Sequence, residues 1–142
     1  MSMRETAIAA LHGRLATSLA GRNPAPLVLR GETVPQRLPS GGLVVVRDGE
    51  TVEETAILSP LAWAIEHRAA VEVTVAGATP AVRTALLVAI GAAIAADRTL
   101  GGAVEWAQPG APEFEDVEGA AAARAASVPV ALFFTVAGSP LA

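Results

Sequence analysis

The sequence predicts an α+β domain in which a mainly antiparallel sheet carries two α-helices packed on one face. Three observations carry that reading. The segment Ala62–Ala76 alternates apolar and polar side chains with a period of two. Two other segments repeat apolar residues at helical spacing. At 142 residues the chain is close to the commonest size for one domain, and no internal repeat or interdomain linker divides it. Residues 1–142 are therefore read as a single domain.

The first helix is expected over Met3 to Leu19. Ser2 and Glu5 stand at capping-box spacing, and Ile8, Leu11, Leu15 and Leu19 share one helical face. Gly21 and Asn23-Pro24 end it. Short strands follow at Leu27–Leu29 and Leu43–Val46, the second favoured by its run of valines, and Asp48-Gly49 then reads as a hairpin turn. In Ala62–Ala76 the odd positions are apolar apart from His67, and Glu66, Arg68, Glu72 and Thr74 share the other parity. A long strand with one buried face follows.

Thr79-Pro80 reads as a helix start, threonine at the N-cap and proline at the first helical position. The helix should run to about Asp97 with Val82, Leu86, Ile90 and Ile94 as its stripe, widened by Leu87 and Val88. Its remaining surface is almost uncharged, so the first helix or a neighbouring subunit is expected to cover part of it. A short strand then places Val104 and Trp106 on one face. Gln108–Ala126 reads as irregular. The last strand, Val128–Val136, points Val128, Val130, Leu132, Phe134 and Val136 inward, and Pro129 marks it as an edge or a strand beginning. The element order is thus α-β-β-β-α-β-β.

Composition narrows the chemistry. Apolar residues make up 52% of the chain, but 32 positions are alanine, which buries little area. The basic residues are all arginine, and there is neither lysine nor cysteine. That excludes disulfides, thiolate nucleophiles, Cys-ligated zinc, Schiff-base lysines and Walker-A lysines. A net charge of −4 argues against nucleic-acid binding as a primary task. Arg4, Glu5 and Arg14 interrupt the apolar residues of the N-terminus, so no signal peptide is expected there. The longest uncharged helical run, Thr84–Ala96, is short of the ~20 residues that span a bilayer. A cytoplasmic chain without membrane contact is expected.

No catalytic constellation stands out. His12 reads as a boundary histidine on the first helix. His67, on the apolar parity of the long strand, reads as a hydrogen-bonded core histidine, with a ligand or catalytic role as the sharper alternative. Glu66 and Arg68 flank His67 but point to the opposite face, which weakens a site built from the three. The glycine pairs at 41–42 and 101–102 read as turns, because no helix follows either to present its N-terminus to a phosphate. The acidic cluster Glu113, Glu115, Asp116 and Glu118 lacks the spacing of a calcium loop and reads as solvated. No catalytic, cofactor-binding or metal-ligating residue is assigned. The candidate subunit or partner interface comprises Glu66, Arg68 and Glu72 as a charged strand face, Leu87 on the alanine-rich helix, and Phe133 as an outward anchor on an edge-like strand.

Several segments together carry a family resemblance. They are Leu58-Ser59-Pro60-Leu61, Glu66-His67-Arg68-Ala69-Ala70-Val71-Glu72-Val73, the run from Ala96 to Trp106 containing Arg98-Thr99-Leu100-Gly101-Gly102, and the closing Pro129-Val130-Ala131-Leu132-Phe133-Phe134. In order and spacing, across nearly the whole chain, they resemble the small tail-terminator (tail-completion, minor tail) proteins of long-tailed bacteriophages, prophages and gene-transfer agents. The resemblance implies a helix, a β-meander, a second helix and two strands. It also implies a structural role without catalytic residues. Such proteins form a hexameric ring on the last ring of the tail tube, stop its polymerisation and offer a surface to the head–neck connector. The implied partners are further copies of the chain, the tail-tube protein and the connector, with DNA only in passage. The implied location is the virion tail, assembled in the bacterial cytoplasm. A ring needs two different adhesive surfaces on each subunit. Another neck or connector assembly protein is the near alternative, and a small cytoplasmic enzyme using His67 the distant one.

Overall fold

Helix α1 spans Met3–Leu19, as its apolar spacing predicts, and buries Ala7, Ile8, Leu11, Leu15 and Leu19. The Ser2 hydroxyl accepts from the Glu5 backbone N–H at 3.2 Å. The reciprocal half of the capping box is absent, because the Glu5 carboxylate pairs instead with Arg30 at 2.7 Å. The computed structural model describes residues 2–31, 37–77, 80–117 and 123–142. Within these, α1 is followed by strands β1 (Leu27–Arg30), β2 (Leu43–Leu58) and β3 (Leu61–Ala76), helix α2 (Ala81–Ala96), and strands β4 (Trp106–Pro109), β5 (Glu113–Val117) and β6 (Ala123–Ala137).

The fold is α+β. Its sheet runs β1-β2-β3-β6-β4, with β5 also pairing β6, and every pairing except β1 with β2 is antiparallel. The parallel β1–β2 pair departs from the meander that the resemblance implies. Both helices pack on one face of the sheet. There Ile8, Leu11, Leu15, Leu86, Ile90 and Ile94 meet the odd-numbered residues of β3 and the inward row of β6 from Val128 to Val136. The two helices also touch each other, and Arg14 Nε donates to the Ala93 carbonyl at 2.9 Å.

β2 corrects the expectation most. It runs on through Asp48-Gly49 to Leu58 rather than turning there. Its pairing with β3 shifts register between Arg47 and Glu50 and again between Thr51 and Glu53, so the expected turn is a bulge. Gly49 has φ +67, and a Cβ there would lie 1.9 Å from the Arg68 carbonyl oxygen. The position therefore requires glycine, although not for a turn. The hairpin turns at Ser59-Pro60 instead.

The stretch Gln108–Ala126, expected to be irregular, holds part of β4, all of β5 and the start of β6. Val104 precedes β4 and is buried, whereas Trp106 is exposed, so the two do not share one strand face. Pro129 does not mark an edge. β6 is an interior strand, between β3 on one side and β4 and β5 on the other. The proline is tolerated because β4 pairs with residues 130–133 and β5 with 123–127, leaving a gap at Pro129 that Gly110 fills. The Gly110 N–H donates to the Pro129 carbonyl at 2.7 Å, and no ladder partner needs the missing N–H.

Helix α2 differs from expectation at its start. Pro80 is the N-cap rather than the first helical residue, and the expected N-cap, Thr79, lies outside the described residues. Val82 is exposed, while Arg83 takes the buried place. The Arg83 guanidinium stacks over the Phe114 ring at 4.5 Å and donates to the Ala125 carbonyl at 3.2 Å. This explains how a charged residue enters an apolar stripe. Although α1 covers one flank of α2, Val88 remains 67% exposed.

Candidate functional site

The face of the sheet away from the helices carries the charges that alternation placed there. Along β3, Glu66, Arg68, Glu72 and Thr74 point to this face, while His67, Ala69, Val71 and Val73 point to the core. The register sets Glu66 between Glu53 of β2 and Phe133 of β6, Arg68 between Glu50 and Ala131, and Glu72 between Val45 and Ser127. Arg68 Nη2 bonds the Glu66 carboxylate at 2.9 Å, and Arg47 Nε bonds that of Glu72 at 3.2 Å. Two carboxylates, Glu53 and Glu66, stand directly opposite on neighbouring strands, an arrangement that disfavours the isolated pair and favours a cation between them. Arg68 neutralises Glu66 from within the chain, and the Glu53 carboxylate accepts from the Thr55 hydroxyl at 3.4 Å.

Small side chains between these charges leave the face shallowly furrowed. One open depression of ≈ 440 Å³ is lined by Glu50, Arg68, Ala70, Glu113, Ser127 and Pro129. Another, of ≈ 230 Å³, is lined by Glu53, Thr55, Ala64, Glu66, Glu105 and Phe133. Both are open rather than enclosed, and in the second the carboxylates of Glu53, Glu66 and Glu105 are bonded to Thr55, Arg68 and Thr135. They suit contact with a surface better than enclosure of a small molecule.

Phe133 lies on this face, half-buried between Glu66 and Trp106. The edge-like position expected for it is corrected by the interior placement of β6. Four of the five candidate interface residues, Glu66, Arg68, Glu72 and Phe133, thus share one surface. Leu87 does not join them: it sits on α2, half-buried against the core on the helix side. Trp106 was missed as a candidate. It is exposed at the sheet edge, and the Arg98 guanidinium covers its ring at 4.9 Å. No local sequence signal pairs Arg98 with Trp106; the turn through Asp97–Gly102 brings them together. In that turn the Asp97 carboxylate accepts from the Thr99 hydroxyl at 2.8 Å and the Gly101 N–H at 2.8 Å. Those bonds hold its carboxyl below the ordinary aspartate value.

His67 is only 5% exposed and belongs to the core side. Its Nδ1 meets the Thr51 hydroxyl at 3.0 Å, and its Nε2 meets the Asp48 carbonyl. Because Thr51 Oγ1 accepts from Arg4 Nε at 2.7 Å, its own hydrogen is available to Nδ1. The network is satisfied by an imidazole with its proton on Nε2, donating to Asp48. That role ties α1, both bulges of β2 and β3 together. Glu66 and Arg68 point away from His67, and Thr51 links it instead to Arg4, which pairs with Glu54 at 2.6 Å. His12 meets the Val28 carbonyl at 3.3 Å and fastens α1 to β1.

Among the described residues no group of three or more His, Cys, Asp or Glu side chains is placed to hold a metal ion. Of the acidic cluster, Glu113 and Glu115 lie on β5, and Glu118 lies outside the described residues. Among the described residues no helix is long and apolar enough to cross a membrane. No protein-family model matches the chain, and no curated protein does.

Proposed function

We propose that this chain is a structural assembly protein of a phage or phage-like tail. Its copies form a ring, hexameric as in the tail terminators it resembles, that caps the tail tube, ends its polymerisation and joins the head–neck connector. One observation carries the reading: a single subunit leaves two unlike surfaces unfinished. The first is the sheet face away from the helices, with Glu66, Arg68, Glu72 and Phe133, over which no helix packs among the described residues. The second is the uncharged outer flank of α2, where Val82 and Val88 are exposed. A closed ring uses two different patches on each subunit, and faces above and below remain for other partners.

The chemistry of the surface supports the same reading. Glu50, Glu53, Glu66, Glu72 and Glu113 outnumber Arg47 and Arg68 on the uncovered face, consistent with a net charge of −4. A conduit with such a surface lets DNA pass without holding it. The buried, fully bonded His67 supports a structural rather than a catalytic part.

Native mass spectrometry of the purified chain, alone and on its tail-tube protein, tests the ring. The expected species has about six times the 14.3 kDa mass of one chain. A chain that stays at monomer mass at every concentration, and with tubes present, would overturn the proposal.

A further inference from the structure

Besides the outer sides of β1, β4 and β5, two stretches of the inner strands β2 and β6 have no strand beside them among the described residues, and both lie at the hairpin end of the sheet. β1 pairs only with Leu43–Val46, so among the described residues no strand flanks positions 47–58 of β2 on the side away from β3. Across the sheet, β4 starts at Trp106 opposite Phe133, and the Glu105 N–H donates to the Phe133 carbonyl at 2.8 Å. Among the described residues no strand pairs on that side with positions 134–137 of β6.

The directions of the backbone groups follow from alternation along each strand. The Val46 carbonyl accepts from the Gly31 N–H, so the even residues at the start of β2 turn their polar groups away from β3. Each of the two bulges adds one residue, and together they restore that parity. Glu54, Ala56 and Leu58 therefore present N–H and C=O outward. On β6 the carbonyls of Pro129 and Phe133 face the β4 side, so Thr135 faces it too.

We propose that these two edges pair with each other between neighbouring copies of this chain, residues 54–58 of one β2 lying beside residues 134–137 of the next copy's β6. The inference rests on the ring reading and names the contact that builds the ring. Several features fix the occupant as a second copy. β2 and β6 are each antiparallel to β3 and so run in the same direction. Copies related by rotation about a ring axis then bring them together as a parallel pair, head to tail. The first part of the free β2 edge is unsuited to pairing, because both bulges and Asp48 and Glu50 lie there. From Glu54 to Leu58 the register is unbroken and contains no proline. The hairpin end also exposes Ile57 (43%), Leu58 (80%) and Leu61 (48%), an apolar cluster that a neighbouring copy would cover.

The chain lacks cysteine, so introduced thiols report this contact alone. Thr55 and Thr135 both pair with Ala64 and so point to the face away from the helices. The double variant Thr55→Cys with Thr135→Cys, treated with a short bismaleimide, should give a ladder of covalent oligomers ending at the closed ring. Mixing the two single variants should give dimers only, and Thr55→Cys by itself should give none. Ala56→Pro removes an outward N–H and leaves the ladder to β3 intact. Loss of the ring with the circular dichroism of the wild-type chain is expected. Should that variant fail to fold, the cross-links still decide the question. Rings that form without the Thr55–Thr135 cross-link, or Thr55→Cys dimers linked to themselves, overturn the edge pairing and leave the ring standing. A chain that is monomeric both alone and on tubes overturns both.

Discussion

Thr51 holds a more demanding position than its half-buried place on a sheet suggests. It accepts from Arg4, donates to His67 and sits between the two bulges of β2. Thr51→Val keeps the shape and deletes both bonds, leaving His67 Nδ1 and Arg4 Nε unpaired. A loss of about 1–3 kcal/mol in urea unfolding is expected, and a change within about 0.5 kcal/mol would contradict the network. Gly49→Ala should cost at least as much, since the new Cβ meets the Arg68 carbonyl at 1.9 Å and cannot move without breaking the bulge. Equal urea midpoints for Gly49→Ala and wild type would contradict the bulge. Asp97 makes a prediction of another kind. Its folded carboxyl titrates below the ordinary aspartate value because Thr99 and Gly101 bond the charged form. Its contribution to stability is therefore fully present above the unfolded value and fades as pH falls through the folded one. NMR titration of the Asp97 carboxyl at or above the ordinary value would refute this.

At the scale of elements, legibility followed the strength of periodicity. Strand β3 and helix α1 could be read almost to the residue, because each buries a continuous stripe against one layer. β2 could not. Two bulges break its alternation within a few residues, and the polar run Arg47–Glu50 then imitates a turn. β4 and β5 are four and five residues long and contain Pro109 and three acidic side chains, so nothing local separates them from a loop. Their partner, β6, forms them by pairing. Pro129 misled for a related reason: a gap between two short strands satisfies proline in the same way as an edge does. The charged face of the candidate site was legible through the parity of β3. Phe133 was legible as outward but not as interior, since strand order is a property of the whole sheet. The hairpin end makes a prediction of its own. Leu58→Ser should leave the unfolding midpoint of the isolated chain within about 0.5 kcal/mol of wild type, because Leu58 is 80% exposed, yet weaken self-association. A variant that associates as well as wild type would show that the apolar tip is not a contact.

For the molecule as a whole, the excess of alanine over large apolar residues acquires a structural meaning. Alanines on the outer flank of α2 and between the charges of the uncovered sheet face keep both surfaces low and open to close approach. The acidic balance of that face predicts that fluorescence anisotropy with duplex DNA at physiological salt shows no binding; micromolar affinity would contradict a conduit role. The proposed ring is tested by electron microscopy of the purified chain mixed with the tail-tube protein it is proposed to cap. Sixfold rings seated on the ends of tubes that have stopped growing are expected. Tubes with bare ends that continue to lengthen beside unassembled chains would contradict it.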